Sequence, residues 1–160
     1  MCLSKLKCLL PEKDNCEEGD CRIVIDIKNV KIFDTENKCG RQLLERHGES
    51  KYCDCIIHYK GVLLIIEILC GKLTKKELND KEKQVSVWQY ILKKELTNCK
   101  IYCFIVFLKH SLQQELLKKK ELSLRNKGIL LKQFKRSKKP YIKLTELLQQ
   151  NNTKHTKRPM

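Results

Sequence analysis

No apolar run in this chain approaches the roughly 20 residues needed to cross a bilayer. The opening stretch from Met1 to Leu10 carries Lys5 and Lys7 and is too short and too charged for a secretory signal. These absences lead to the expectation of an intracellular, cytoplasmic protein. There is no C-x-x-C among the ten cysteines. The nearest metal-type spacings, Cys16-x4-Cys21 and Cys99-x3-Cys103, are not zinc-finger signatures. His47, His58, His110 and His155 make no H-x3-H pair. Neither G-x-x-x-x-G-K-[ST] nor G-x-G-x-x-G occurs, which excludes the two common glycine-rich nucleotide loops. Cys55 and His58 stand at i and i+3 on a strand, hence on opposite faces, which argues against a catalytic Cys–His pair. Glycine and proline are scarce, at six and three. With the richness in Lys, Ile and Leu, that fits an archaeal or hyperthermophile origin.

What is present suits a folded protein. Hydrophobic residues make up 41% and charged residues 33% of 160 positions, a balance typical of one globular domain. The expected unit covers residues 1–150, with a polar, disordered tail over 151–160. The formal net charge is +15 and is concentrated. Between Lys109 and Lys143 there are twelve Lys or Arg against two acids, Glu115 and Glu121. Such a lobe attracts polyanions and favours nucleic acid through counterion release. Cys53, Cys55, Cys70 and Cys103 fall in apolar strands, where a thiol acts as a small hydrophobe. Disulfides are an alternative, and an iron–sulfur or zinc site from Cys2, Cys8, Cys16 and Cys21 is another.

Periodicity and breakers predict an irregular or short helical lead-in over 1–20, then one or two strands over 21–33. A helix follows from Glu36 to His47, capped by Asp34-Thr35 and ended by Gly48. A strand from Tyr52 to Tyr59, a Lys60-Gly61 turn and a strand from Val62 to Leu69 form a hairpin, broken by Gly71. The unbroken Val/Leu/Ile content of the second strand places it at the centre of a sheet. Next come a helix capped at Asn79 or Asp80 and running to about Leu96, a strand from Lys100 to Leu108, and a helix capped by Ser111 and running to about Leu122. Gly128–Phe134 and Tyr141–Leu144 read as late strands, and 145–150 as a helical turn or two.

Inside the hairpin sit two acids, Asp54 and Glu67. A carboxylate inside Leu63-Leu64-Ile65-Ile66-Glu67-Ile68-Leu69 is costly to bury unless it is paired or binds a metal. Two acids on adjacent strands can hold Mg²⁺ or Mn²⁺ beside a phosphodiester, where the cation polarises phosphate and activates water. The unit Cys53-Asp54-Cys55 … Ile66-Glu67-Ile68-Leu69-Cys70-Gly71-Lys72 resembles the central hairpin of the PD-(D/E)XK nuclease superfamily. The resemblance spans about residues 22–108. It implies an α/β, restriction-endonuclease-like α-β-β-β-α-β core with a mixed sheet flanked by helices. A basic α/β extension then follows over about 109–150. It further implies metal ligation by Asp54 and Glu67, an assisting helix acid at Glu45 (or Glu36), and a helix glutamine at Gln89 (or Gln84). DNA is the implied partner, and a homodimer is compatible with it.

The family's Glu-x-Lys lysine would be residue 69, which is Leu69. Three readings follow. The lysine has moved, with Lys72 the nearest replacement and Lys60 and Lys83 behind it. Or the fold persists without cleavage, as a nucleic-acid-binding or assembly module. Or Asp54 and Glu67 are structural. In the first two, Lys118, Lys119, Lys120, Lys132, Lys135, Arg136, Lys138 and Lys139 contact phosphates. Asp26 either lines the same cleft or lies on an edge strand. His47 is a helix-end histidine or a metal ligand with Glu45. Trp88 and Tyr90 read as core and boundary residues, or as base-stacking platforms.

Overall fold

The computed structural model describes residues 2–149. In chain order the elements are α1 (Cys2–Leu9), β1 (Glu12–Lys13), β2 (Cys16–Glu18), β3 (Cys21–Val24), β4 (Lys31–Phe33), α2 (Lys38–Arg46), β5 (Cys55–Tyr59), β6 (Val62–Leu73), α3 (Lys75–Glu95), β7 (Lys100–His110), α4 (Gln114–Asn126), β8 (Ile129–Gln133) and β9 (Tyr141–Lys143). A helical segment over 144–149 follows. Six strands form a mixed sheet in the order β1-β4-β5-β6-β7-β8. It is antiparallel from β1 to β6 and parallel from β6 to β8. A three-stranded sheet, β2-β3-β9, lies against it. The fold is thus mixed α/β, and the expected tail lies outside the described residues.

Alternation along β6 sorts its side chains between two cores. Leu63 and Ile65 face the helices, among Leu6 of α1, Leu43 and Leu44 of α2, Trp88 of α3 and Leu124 of α4. Leu64, Ile66 and Ile68 face the small sheet and the 144–149 segment, among Ile23, Ile142 and Leu147. Burial on both faces explains why β6 reads as a continuous apolar run. Residues 109–149 are woven in rather than appended: β8 extends the main sheet, and β9 pairs in parallel with β3.

Several boundaries differ from expectation for local reasons. The 21–33 stretch is two strands in different sheets. Gly71 does not end β6, because the strand passes through an irregularity between Leu69 and Lys72 and continues to Leu73. The next helix therefore begins at once, capped by Thr74, whose hydroxyl accepts from Glu77 N at 3.2 Å, not by Asn79 or Asp80. Asn37 caps α2 by accepting from Gly40 N at 2.9 Å. Thr35 cannot serve, since its hydroxyl is committed to Cys53. Ser111 instead donates its backbone N–H to Leu73, and α4 starts after Gln113. The Lys60-Gly61 turn is as expected, with φ of 47° and 74°, the left-handed pair of a type I′ hairpin turn.

Six cysteines are paired: Cys2–Cys99, Cys16–Cys55 and Cys21–Cys70, with Cα separations of 5.8, 5.9 and 5.5 Å. The small-hydrophobe reading holds for buried Cys53 and Cys103 but not for Cys55 and Cys70. Two of the bonds fasten the β2–β3 hairpin to β5 and β6. They close segments of 39 and 49 residues, and the third closes one of 97. Loop-closure entropy gives about 4 kcal/mol as the upper scale for each of the first two bonds and about 5 kcal/mol for the third. Denaturant titration with and without a dithiol reductant checks this, with an expected loss of at least about 4 kcal/mol in all. An unchanged midpoint would mean that the bonds do not support the fold.

Candidate functional site

The hairpin register builds the site. Cys55 stands opposite Ile66, so one antiparallel step further sets Asp54 beside Glu67. Asp54 N donates to Glu67 Oε2 at 2.8 Å, and Ile68 N donates to Asp54 Oδ2 at 2.6 Å. Each acid thus holds the other's strand. The residue before Asp54 is fixed from a third side. The Thr35 hydroxyl donates to Cys53 O at 2.7 Å and accepts from Cys53 N at 3.1 Å.

Two ammonium groups complete the cluster. Lys81 of α3 donates to Glu67 Oε1 at 3.0 Å. Lys13 of β1 donates to the Asp54 carbonyl at 2.5 Å. Glu67 is only 1% exposed. Burial, followed by the Asp54 charge, pushes its pKa up to about 8, against the pull of Lys81. Lys81 lies above the ordinary lysine value, because Glu67, Asp54 and Glu18 outweigh its own desolvation. The buried Cys53 thiol is pushed well up by burial and by both carboxylates, so it is a poor nucleophile.

The lysines considered for position 69's role are elsewhere. Lys72 is exposed beside Lys109 of β7, with no bond to either acid. Lys60 lies over the Tyr59 ring, and Lys83 is exposed by a hollow lined by Asn79, Glu82 and Ser86. Leu69 is half-buried against the helix-side core. Glu45 and Glu36 are exposed, and neither bonds to Asp54 or Glu67 among the described residues. Gln89 reaches Lys127 O at 3.4 Å, away from the acids. Asp26 accepts from the Thr145 N–H and hydroxyl at 3.1 and 2.6 Å, anchoring the 144–149 segment rather than lining a cleft. His47 Nε2 and Arg46 both meet Glu95, at 2.7 and 2.9 Å. Trp88 is core, its indole N–H on Lys51 O at 2.8 Å, while Tyr90 is half exposed.

The basic lobe divides. Lys118, Lys119 and Lys120 ride on α4 on the helix side, Lys120 donating to Asn79 at 3.3 Å. Lys132 is half-buried on β8, and burial lowers its pKa. Lys135 pairs with Glu146 at 2.8 Å, while Arg136, Lys138 and Lys139 are exposed in the loop before β9. Among the described residues no group of three or more His, Cys, Asp or Glu is arranged to hold a metal. Cys2, Cys16 and Cys21 are each bonded to another cysteine, leaving Cys8 free and exposed.

No family model, curated protein or solved structure matches this chain.

The chemistry therefore rests on the cluster itself. Asp54 Oδ1 has no hydrogen bond among the described residues, and it lies beside a second carboxylate. The Ile68 carbonyl leaves its strand on the same edge as the Ile68 N–H. Hard oxygens of this kind fit Mg²⁺ or Mn²⁺, which take much of their shell from water and phosphate. Lys81 and Lys13 are the residues that sequence reasoning missed. Lys81 had a signal: it interrupts the apolar stripe Leu78-Lys81-Val85-Trp88-Leu92, where a cation needs a buried partner. Lys13, on a two-residue strand, had none.

Proposed function

We propose that the chain is a nucleic-acid-binding protein of the PD-(D/E)XK nuclease type. In it Lys81 supplies, from the helix, the ammonium that position 69 lacks. The Lys81–Glu67 contact at 3.0 Å, next to Asp54, carries this reading. The strand order β4-β5-β6-β7 with α3 crossing from β6 to β7 supports it, as does the net charge of +15. Asp54 and Glu67 would hold the cation, which supplies a polarised phosphate and an acidified water. Lys81 orients Glu67 and offsets negative charge gathering there. Lys13 fixes the Asp54 backbone.

A second reading, binding without cleavage, draws on one observation: Glu67 is nearly inaccessible and both of its oxygens are engaged. Cleavage of labelled single-stranded, duplex and branched DNA with Mn²⁺, in wild type, Asp54→Ala and Glu67→Ala, separates the two. Cutting that both substitutions abolish supports the nuclease. Salt-sensitive binding without cutting supports the second reading.

A cation must displace the proton that Glu67 keeps below about 8. Mn²⁺ affinity should therefore rise with pH, by up to about tenfold per unit, and level off above that value. Titration calorimetry in buffers of different ionisation enthalpy would detect one proton released at neutral pH. Affinity independent of pH would exclude Glu67 as a ligand.

A further inference from the structure

Away from the acids, a groove of about 500 Å³ opens between α1 and the turn end of the β5–β6 hairpin. Cys2, Leu3, Ser4, Lys7, His58 and Gly61 line it. The first turn of α1 brings N–H groups that have no acceptor within the helix, and these form the positive end of its dipole. The Cys2–Cys99 bond ties that turn to the loop before β7. Lys7 adds an ammonium and Ser4 a hydroxyl, and among the described residues no acid lines the groove. His58 supplies the independent sign of a ligand. His58 lines the groove and is 8% exposed, yet its ring has no hydrogen-bond partner among the described residues.

We propose that this groove binds a phosphate-bearing small molecule, with the anionic group held by the α1 N-terminus, Lys7 and His58. A dianion offers acceptors to all three donors at once, the arrangement that makes helix N-termini anion sites. Leu3 and the Cys2 side chain give the rest of the ligand an apolar wall, so a monoester with a compact apolar body fits better than bare phosphate. Burial and then Lys7 keep His58 below its ordinary pKa. Lys31 lies across the strand from His58 and is partly balanced by Glu12 at 3.6 Å. A bound dianion adds the missing countercharge, so binding raises the His58 titration midpoint.

The test is NMR of the full chain, following the histidine ring protons against inorganic phosphate and phenyl phosphate, with His58→Gln identifying the His58 signal. A saturable shift of His58 is expected with both probes, tighter with phenyl phosphate, and the midpoint should move up by about one unit. Lys7→Ala, at an exposed position, should weaken phenyl phosphate binding at least tenfold, read by ³¹P line broadening. His58→Gln should weaken it as well. Absence of a saturable His58 shift with either probe would overturn the proposal. So would phenyl phosphate binding that survives both substitutions unchanged.

Discussion

Replacing Gly40 with alanine should cost at least about 3 kcal/mol of folding stability. An added Cβ would lie 1.7 Å from Thr35 O and 2.6 Å from Thr35 C, and both are backbone atoms that no rotamer change can move aside. The first turn of α2 therefore passes directly over Thr35 and only hydrogen fits between. Either α2 lifts, loosening Leu43 and Leu44, or Thr35 retreats and its hydroxyl leaves Cys53. The second route reaches the site, because Cys53 precedes Asp54. For a chain of this size, a loss of that order lowers the thermal midpoint by roughly 6–12 °C. Calorimetry of Gly40→Ala beside Gly48→Ala separates packing from backbone freedom. Gly48 has a φ of 69°, but a methyl group added there would meet nothing within 4 Å, so it reports strain alone. A Gly40→Ala midpoint equal to wild type would mean that α2 does not pack against the Thr35 backbone.

Much of this architecture is legible in the residues. The two-sided burial of β6 follows from its apolar run, and the Lys60-Gly61 turn from its dipeptide. The late strands at Ile129–Gln133 and Tyr141–Lys143 come out close to expectation. The failures have physical causes. Gly71 reads as a breaker in one dimension, but β6 is held by β7 on its parallel side and carries an irregularity without ending. Thr74-Lys75-Lys76-Glu77 carries the S/T-x-x-E spacing of a capping box, a stronger start signal than Asn79. Disulfide pairing cannot be read from ten cysteines, because connectivity depends on which strands meet. The fold joins a hairpin near the N-terminus to the central strands, and that is a long-range fact.

The candidate acid cluster was legible by half. An acid in an apolar strand demands a partner, which located Glu67, and hairpin register located Asp54. The partner's identity was not legible along β6, because it comes from the facing helix. The lysine nearest to position 69 in the chain is Lys72, and it has no bond to either acid. The rule that a charge in an apolar stripe needs an opposite charge applies to α3 as much as to β6. Applied to both elements, it marks Lys81 and Glu67 as two charges that each need a buried partner.

Lys81→Met should cost about 3 kcal/mol above pH 8, and less at pH 6. The sign follows from Glu67. Its folded pKa is raised from 4.5 to about 8, so in that window the folded state holds a proton that the unfolded state has lost. Stability attributable to this group accordingly falls as pH rises from 4.5 to about 8. Lys81 acts against that loss, and without it the folded pKa climbs and the decline extends to higher pH. Lys81's own pKa is raised, so its contribution is complete below 10.5 and is lost only as pH rises through the higher folded value. Glu67→Gln removes the charge and should flatten the profile between pH 5 and 9, although one of the donors from Asp54 and Lys81 then loses its acceptor. The double variant should be more stable than Lys81→Met alone at pH 9, because no unpaired carboxylate remains buried. Denaturant unfolding at pH 6 and pH 9 of all four proteins measures the coupling directly. Under the nuclease reading, Lys81→Met also lowers cleavage by at least about a hundredfold, as loss of a well-placed electrostatic group does. Strong pH-dependent destabilisation with cleavage intact would make the pair structural.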